Sequence, residues 1–142
     1  MDMLSLLFHP VSEAVLCKTA QESGLTLSPA QAHTLLASQR ETLERLGRVD
    51  FSGGILPKLL RVFASSPYVF ADNQTQTLAE LTESFYFFKS KTCDKLPDDD
   101  LLFAMARLFN SRCGGSVELL NDCTADDLLS ACVGEERGIY DD

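Results

Sequence analysis

The chain has 142 residues, 45% hydrophobic and 23% charged, values typical of one globular domain rather than of a disordered chain. No apolar run reaches the roughly 18 residues of a membrane-spanning helix, and the apolar run 3–8 lacks the preceding basic residues of a secretory signal. The net charge of −9 repels phosphate backbones. We therefore expect a cytoplasmic protein that contacts neither membranes nor nucleic acid.

The negative charge is concentrated at one end of the chain. Residues 1–50 carry a net charge of −2, residues 51–97 carry +1 and residues 98–142 carry −8. An acidic region of this kind either keeps a protein soluble or forms a docking face for a basic partner.

Five cysteines are spread widely along the chain, at positions 17, 93, 113, 123 and 132. The odd number and the absence of close pairs disfavour both a disulfide framework and a zinc site, and neither histidine lies beside a cysteine at metal-ligand spacing. We expect reduced thiols that pack as small apolar residues. The sequence predicts no metal and no cofactor.

The first two helices have clear boundaries. Residues 11–23 predict a helix that ends at Gly24. Ser28 followed by Pro29 and Gln31 is typical of a capping box, and the second helix that it starts runs to about Leu46. Its apolar stripe contains one polar residue, Gln39, which needs a hydrogen-bond partner if it is buried. The remaining members of that stripe are Ala32, Leu35, Leu36, Leu43 and Leu46.

Two aromatic-rich helices follow. Residues 55–65 predict the third helix and residues 73–91 the fourth, whose core stripe is Leu78, Leu81, Phe85 and Phe88. Tyr86 and Phe87 lie off this stripe. The fourth helix is therefore either a central helix with contacts on both sides or a helix that carries an interface.

The last third of the chain predicts a fifth helix from Pro97, a short turn at 116–120 and a last short helix after Thr124 that ends near 133. Phe103 lies off the apolar stripe of the fifth helix. No alternating strand pattern is present. We predict an all-α fold, a single compact domain of five to six helices at residues 11–133, with an apolar segment at 1–10 and a polar tail at 134–142.

One loop has features of an anion site. Gly53 and Gly54 precede the third helix, and Lys58 and Arg61 follow, so backbone N–H groups and two cations could hold an anion there. The Walker A spacing is absent, so a plain glycine turn is the alternative. Neither histidine has a recognisable nucleophile beside it, so the sequence predicts no catalytic residues.

Several motifs resemble one protein family. These are GLTLS at 24–28, LGRVDFSGGIL at 46–56, SPY at 66–68, TLAEL at 77–81 and FYFFK at 85–89. They resemble a family of small proteins from Clostridia-type Firmicutes, domain-of-unknown-function family 6323, and the resemblance as a whole covers about residues 17–120. Ser52 and Pro57 depart from the family pattern and weaken the anion-loop hypothesis. The resemblance implies a stand-alone cytoplasmic protein without an assigned activity.

The leading hypothesis is a non-enzymatic module that binds another protein or a second copy of itself as a homodimer. Tyr86, Phe87 and Phe103 would form the desolvated centre of the interface, and the acidic residues would steer the approach of the partner. The alternative is a small-ligand or anion-binding protein, enzymatic or not, that uses the turn 52–55 with Lys58 and Arg61.

Overall fold

The structure is a computed structural model that describes residues 12–48 and 55–132. These residues form seven helices and no strand: α1 (Glu13–Glu22), α2 (Pro29–Leu46), α3 (Leu56–Phe63), α4 (Gln74–Lys91), α5 (Asp98–Asn110), α6 (Val117–Asn121) and α7 (125–132). The all-α prediction is confirmed, with one helix more than the upper number expected. The predicted segments 1–10 and 134–142 lie outside the described residues.

Local sequence signals fix most helix starts. The Ser28 side chain accepts a hydrogen bond from the Gln31 backbone, and the Gln31 side chain accepts one from the Ser28 backbone, so the predicted capping box is confirmed. Gly47 ends α2 with a φ of 66°. Thr124 and Asp127 form the same reciprocal pair at the start of α7, at 2.7 and 3.1 Å.

Helix α4 lies at the centre of the domain. It packs against α2, α3, α5 and α6, and its Phe85 and Phe88 are fully buried. Phe63 of α3 and Phe109 of α5 are also fully buried and meet edge to face at 5.6 Å between ring centroids. Burial of these aromatic rings in one cluster accounts for much of the stability of so small a domain.

A buried hydrogen bond joins α2 to α4. The Gln39 amide donates to the Tyr86 hydroxyl at 3.0 Å, and the two side chains are 5% and 3% exposed. The expectation that a buried Gln39 finds a partner is thereby confirmed. Tyr86 lies well off the wheel-derived stripe, yet it is buried, because α2 covers that side of α4.

The connection between α4 and α5 is held by ion pairs. Arg48 donates to both carboxylate oxygens of Asp94, and Lys89 lies 2.9 Å from Asp98. The Arg48 guanidinium lowers the pKa of Asp94 from its usual value, mainly by hydrogen bonding, although some desolvation opposes this. Cys93 and Asp94 both adopt positive φ, at 55° and 58°.

Among the described residues, no helix combines the length and the apolar character that crossing a bilayer requires.

Candidate interaction groove

A groove of about 390 Å³ opens on the surface between the end of α2, the middle of α4 and the end of α6. We call it the Phe87 groove. Its lining residues are Arg45, Leu46, Glu83, Ser84, Phe87 and Asn121.

Two large apolar side chains form the apolar part of the Phe87 groove. Phe87 is 42% exposed and comes from the outer face of α4, while Leu46 is 37% exposed and is the last residue of α2. Burying such surface against a partner is favourable by roughly 25 cal/mol per Å² of apolar area. The groove therefore offers an anchoring point for an apolar side chain.

Polar contacts hold the walls of the groove in place. The Arg45 guanidinium lies 3.1 Å from the Glu83 carboxylate, and the Ser84 hydroxyl donates to the side-chain oxygen of Asn121. The first contact joins α2 to α4 and the second joins α4 to α6. The walls are thus formed before any partner arrives, which lowers the entropic cost of binding.

Lys91 fixes the far side of the Phe87 ring. Its ammonium group lies 5.2 Å from the ring centroid, within cation–π range, and donates to the Cys123 carbonyl at 3.0 Å. Lys91 therefore covers part of the Phe87 ring, and the side chain, still 42% exposed, lines the groove.

Acidic residues form one side of the site. A neighbouring depression of about 360 Å³ shares Glu83 and Asn121 with the Phe87 groove and adds Glu80, Val117 and Glu118 to its lining. All three glutamates are exposed, and the charges of Arg45, which pairs with Glu83, and of Lys91, which lies against the Phe87 ring, together leave a net charge of −1. The anchoring point is therefore bordered by net negative charge, which favours a partner with basic side chains.

The sequence profile of a family of unknown function, DUF6323, matches residues 14–137. The chain belongs to this family. No curated protein and no solved structure matches it. The family resemblance predicted from the motifs is confirmed, while the bacterial origin that it implied stays a prediction. Membership of DUF6323 assigns no activity, so function has to be argued from the residues.

The predicted interface residues of this DUF6323 protein lie in three different environments. Tyr86 is in the core and takes no part in the exposed surface, whereas Phe87 lines the groove. Phe103 is 37% exposed on α5 but is not among the lining residues of the groove. The structure therefore does not bring the three aromatic side chains together.

The predicted anion-binding residues are only partly described in the DUF6323 structure. Gly53 and Gly54 lie outside the described residues. The Lys58 ammonium group lies 3.2 Å from the Asp99 carboxylate, so an acidic residue of the same chain already offsets its charge. Arg61 is exposed on α3. Within 12–48 and 55–132, no cluster of three or more His, Cys, Asp or Glu side chains could hold a metal ion.

Two components of the groove escaped the sequence analysis. Leu46 was assigned to the core stripe of α2, but its position at the helix end leaves it partly exposed. Glu80, Glu83 and Phe87 recur at spacings of three and four, which places them on one face of α4. That spacing was the available signal for an acidic and apolar surface on this DUF6323 helix.

Proposed function

We propose that this DUF6323 protein is a non-enzymatic interaction module that binds a segment of another protein in the Phe87 groove. The single observation that carries the proposal is the exposure of Phe87 and Leu46 in one preformed groove with an acidic side. The occupant is a segment with one large apolar side chain and with Lys or Arg nearby. A cytoplasmic location belongs to the same proposal and is supported by five unpaired cysteines.

The size of the groove favours a short segment over a folded domain. At about 390 Å³ it lies near the lower end of typical ligand pockets. Fully burying a Phe side chain is worth about 1.5–3 kcal/mol, so covering the exposed part of Phe87 contributes about 1 kcal/mol. About 1 kcal/mol is too little to hold a peptide by itself, so attraction between basic residues of the peptide and the acidic side of the groove has to add to the binding free energy.

A displayed library of random peptides tests the proposal directly. Peptides are selected on the wild-type protein and then measured on Phe87→Ser, with Phe70→Ser as the matched control because Phe70 is 53% exposed outside the groove. We expect apolar peptides with basic residues whose affinity falls about fivefold in Phe87→Ser, the equivalent of about 1 kcal/mol, and is unchanged in Phe70→Ser. Equal binding to all three proteins, or no selected peptide, would remove the proposal.

The acidic side of the groove has its own test. Glu80→Gln and Glu118→Gln should weaken the selected peptides and reduce the salt dependence of binding, because each variant removes one negative charge beside the groove and leaves the Arg45–Glu83 ion pair in place. Glu22→Gln is the control, since Glu22 is exposed at the end of α1 and does not line the groove. An equal effect of all three variants would show that only the net charge matters.

Two related measurements define the partner more closely. Phe103→Ser shows whether the interface extends to α5, as the sequence hypothesis expected: loss of peptide binding would include Phe103, and unchanged binding would confine the site to the groove. Sedimentation equilibrium tests the homodimer. A dimer that Phe87→Ser dissociates would make a second copy the occupant of the groove.

The alternative function, an anion site at the turn 52–55, stays a prediction. Isothermal titration with inorganic phosphate tests it, with Arg61→Ala as the variant and Lys18→Ala as a control on a different helix. Heat of binding that disappears only in Arg61→Ala would favour the alternative. Absence of binding to the wild-type protein would remove it.

A further inference from the structure

Helix α5 leaves a narrow strip of its surface open to solvent. Most of its 13 residues are buried. The strip that remains is formed by Asp99, Asp100, Phe103 and Asn110, which are exposed, and by Arg107, which is partly buried. Phe103 is the one large apolar side chain of α5 that is exposed, at 37%. An aromatic ring therefore lies in the middle of the open face of a helix that is otherwise covered.

Opposite charges flank Phe103 along this strip. Asp100 lies about 4.5 Å before Phe103 along the helix axis and Arg107 about 6 Å after it, at 1.5 Å per residue. At 100° per residue both lie on the same side of Phe103, about 60° and 40° around the helix. The acidic residue on the other side, Asp99, is paired with Lys58 of α3 at 3.2 Å. The strip therefore carries a negative charge, an aromatic ring and a positive charge in chain order.

We propose that a second copy of this chain docks on the strip, so that two α5 helices pack antiparallel with their Phe103 rings at the centre. A partner that fits the strip has to carry the same three groups in reverse order, and a second copy turned end for end does so. A two-fold axis at Phe103 then places Asp100 of each copy opposite Arg107 of the other copy. A parallel pair would bring the acidic ends of the two helices together, so the charges favour the antiparallel contact.

The size of the contact predicts a weak dimer. Helix α5 is about 20 Å long and about 10 Å wide, so the area that each copy covers is well below the roughly 800 Å² of a standard interface. The net charge of −9 on each copy opposes association at long range, but salt screens exposed charges that are more than about 8–10 Å apart. The pairs of Asp100 with Arg107 act at contact distance and are screened less. We therefore expect a dimer that forms at high protein concentration and dissociates on dilution.

The dimer contact is separate from the Phe87 groove, so the proposal does not depend on the groove having a partner. The residues that line the groove come from α2, α4 and α6, and none comes from α5. A dimer through α5 therefore covers no lining residue of either groove by its central contact. Substitutions at Phe103 and at Phe87 can for this reason be used to test the two surfaces independently.

Sedimentation equilibrium of the full chain over a series of concentrations tests the proposal. The wild-type protein should show a reversible equilibrium between monomer and dimer. Phe103→Ser should raise the dissociation constant about 25-fold, because each dimer loses two rings, each worth the factor of about five expected for the similarly exposed Phe87. Phe87→Ser is the matched control and should leave the dissociation constant unchanged. A wild-type protein that stays monomeric, or a dimer that Phe87→Ser weakens as much as Phe103→Ser does, would overturn the proposal.

Exchange of the two charges tests the antiparallel orientation. Asp100→Lys alone brings cations together in the dimer and Arg107→Glu alone brings carboxylates together, so each variant should dimerise more weakly than the wild type. An equimolar mixture of these two variants should form a mixed dimer, and the variant with both substitutions should dimerise by itself, because opposite charges then meet at both positions. Lys18→Glu, an exposed charge change on α1, is the control, and circular dichroism checks that each variant keeps its helix content. If folded single variants dimerise as the wild type does, or if neither the mixture nor the double variant recovers the dimer, the proposed contact is wrong.

Discussion

The hydrogen bond between Gln39 and Tyr86 offers the sharpest test of how the core is held together. Tyr86→Phe removes the hydroxyl that accepts the Gln39 amide and leaves that amide buried without this acceptor. Burying a polar group that has lost its partner costs about 1–3 kcal/mol of unfolding free energy. Gln39→Leu removes the donor and should cost a similar amount, because the Tyr86 hydroxyl then loses this contact.

The two substitutions combined measure the interaction itself. In the double variant both polar groups of the pair are gone, so it should cost about 1 kcal/mol less than the sum of the two single costs. Other contacts of Tyr86 cancel in this double-mutant cycle because they are lost in both arms that carry the substitution. The chain contains no Trp, so urea unfolding is best followed by far-ultraviolet circular dichroism.

The control for the chemical change is Tyr68→Phe. Tyr68 is 36% exposed, so loss of its hydroxyl should change the unfolding free energy by less than about 0.5 kcal/mol. If the double variant loses as much unfolding free energy as the two single variants together, to within about 0.3 kcal/mol, the side chains of Gln39 and Tyr86 do not interact. The packing of α2 on α4 would then be wrong at this point.

Two further predictions concern the turn after α5 and the connection before it. Gly115→Ala should lower the unfolding free energy by more than Gly114→Ala, although both glycines have positive φ. A Cβ at Gly115 would lie 2.3 Å from the Tyr68 ring, whereas a Cβ at Gly114 would meet nothing within 4 Å. Equal losses of unfolding free energy in urea would contradict this contact. The Asp94 carboxyl is held below its usual pKa, so it stabilises the fold above its unfolded-state pKa of about 3.8, and that contribution is lost as the pH falls through the lower folded-state pKa. An NMR titration should show the pKa of Asp94 rise in Arg48→Gln, and an unchanged value would exclude Arg48 as the cause.

The helix boundaries could be predicted because their signals are local. Ser28, Gln31 and Gly47 act on backbone groups within one turn of themselves, so the sequence alone determines the capping box and the end of α2. The same holds for Thr124 and Asp127 at α7. The need of Gln39 for a partner was predictable from its place in the apolar stripe, but Tyr86 as that partner was not, because the two residues are 47 positions apart.

The surface could not be predicted to the same degree, because exposure depends on where neighbouring helices end. A helical wheel places Tyr86 and Phe87 off the core stripe of α4 alike, yet α2 covers Tyr86 and leaves Phe87 42% exposed. It places Leu46 on the core stripe of α2, yet the helix ends there and the side chain lines the groove. Periodicity gives the direction of a side chain, whereas the length of the partner helix decides its burial.

The exposure of Phe87 follows from the length of α6. This helix has only five residues, and its last residue, Asn121, bonds to Ser84 on α4. Phe87 lies three residues further along α4, about 4.5 Å at 1.5 Å per residue, so the end of α6 leaves it uncovered. Two residues further along the chain, the Cys123 carbonyl accepts a hydrogen bond from Lys91 of α4. The uncovered Phe87 ring lies between these two contacts, so the groove is a consequence of how α6 is anchored to α4. A substitution at either end of α6 should therefore change the shape of the groove more than the packing of the core.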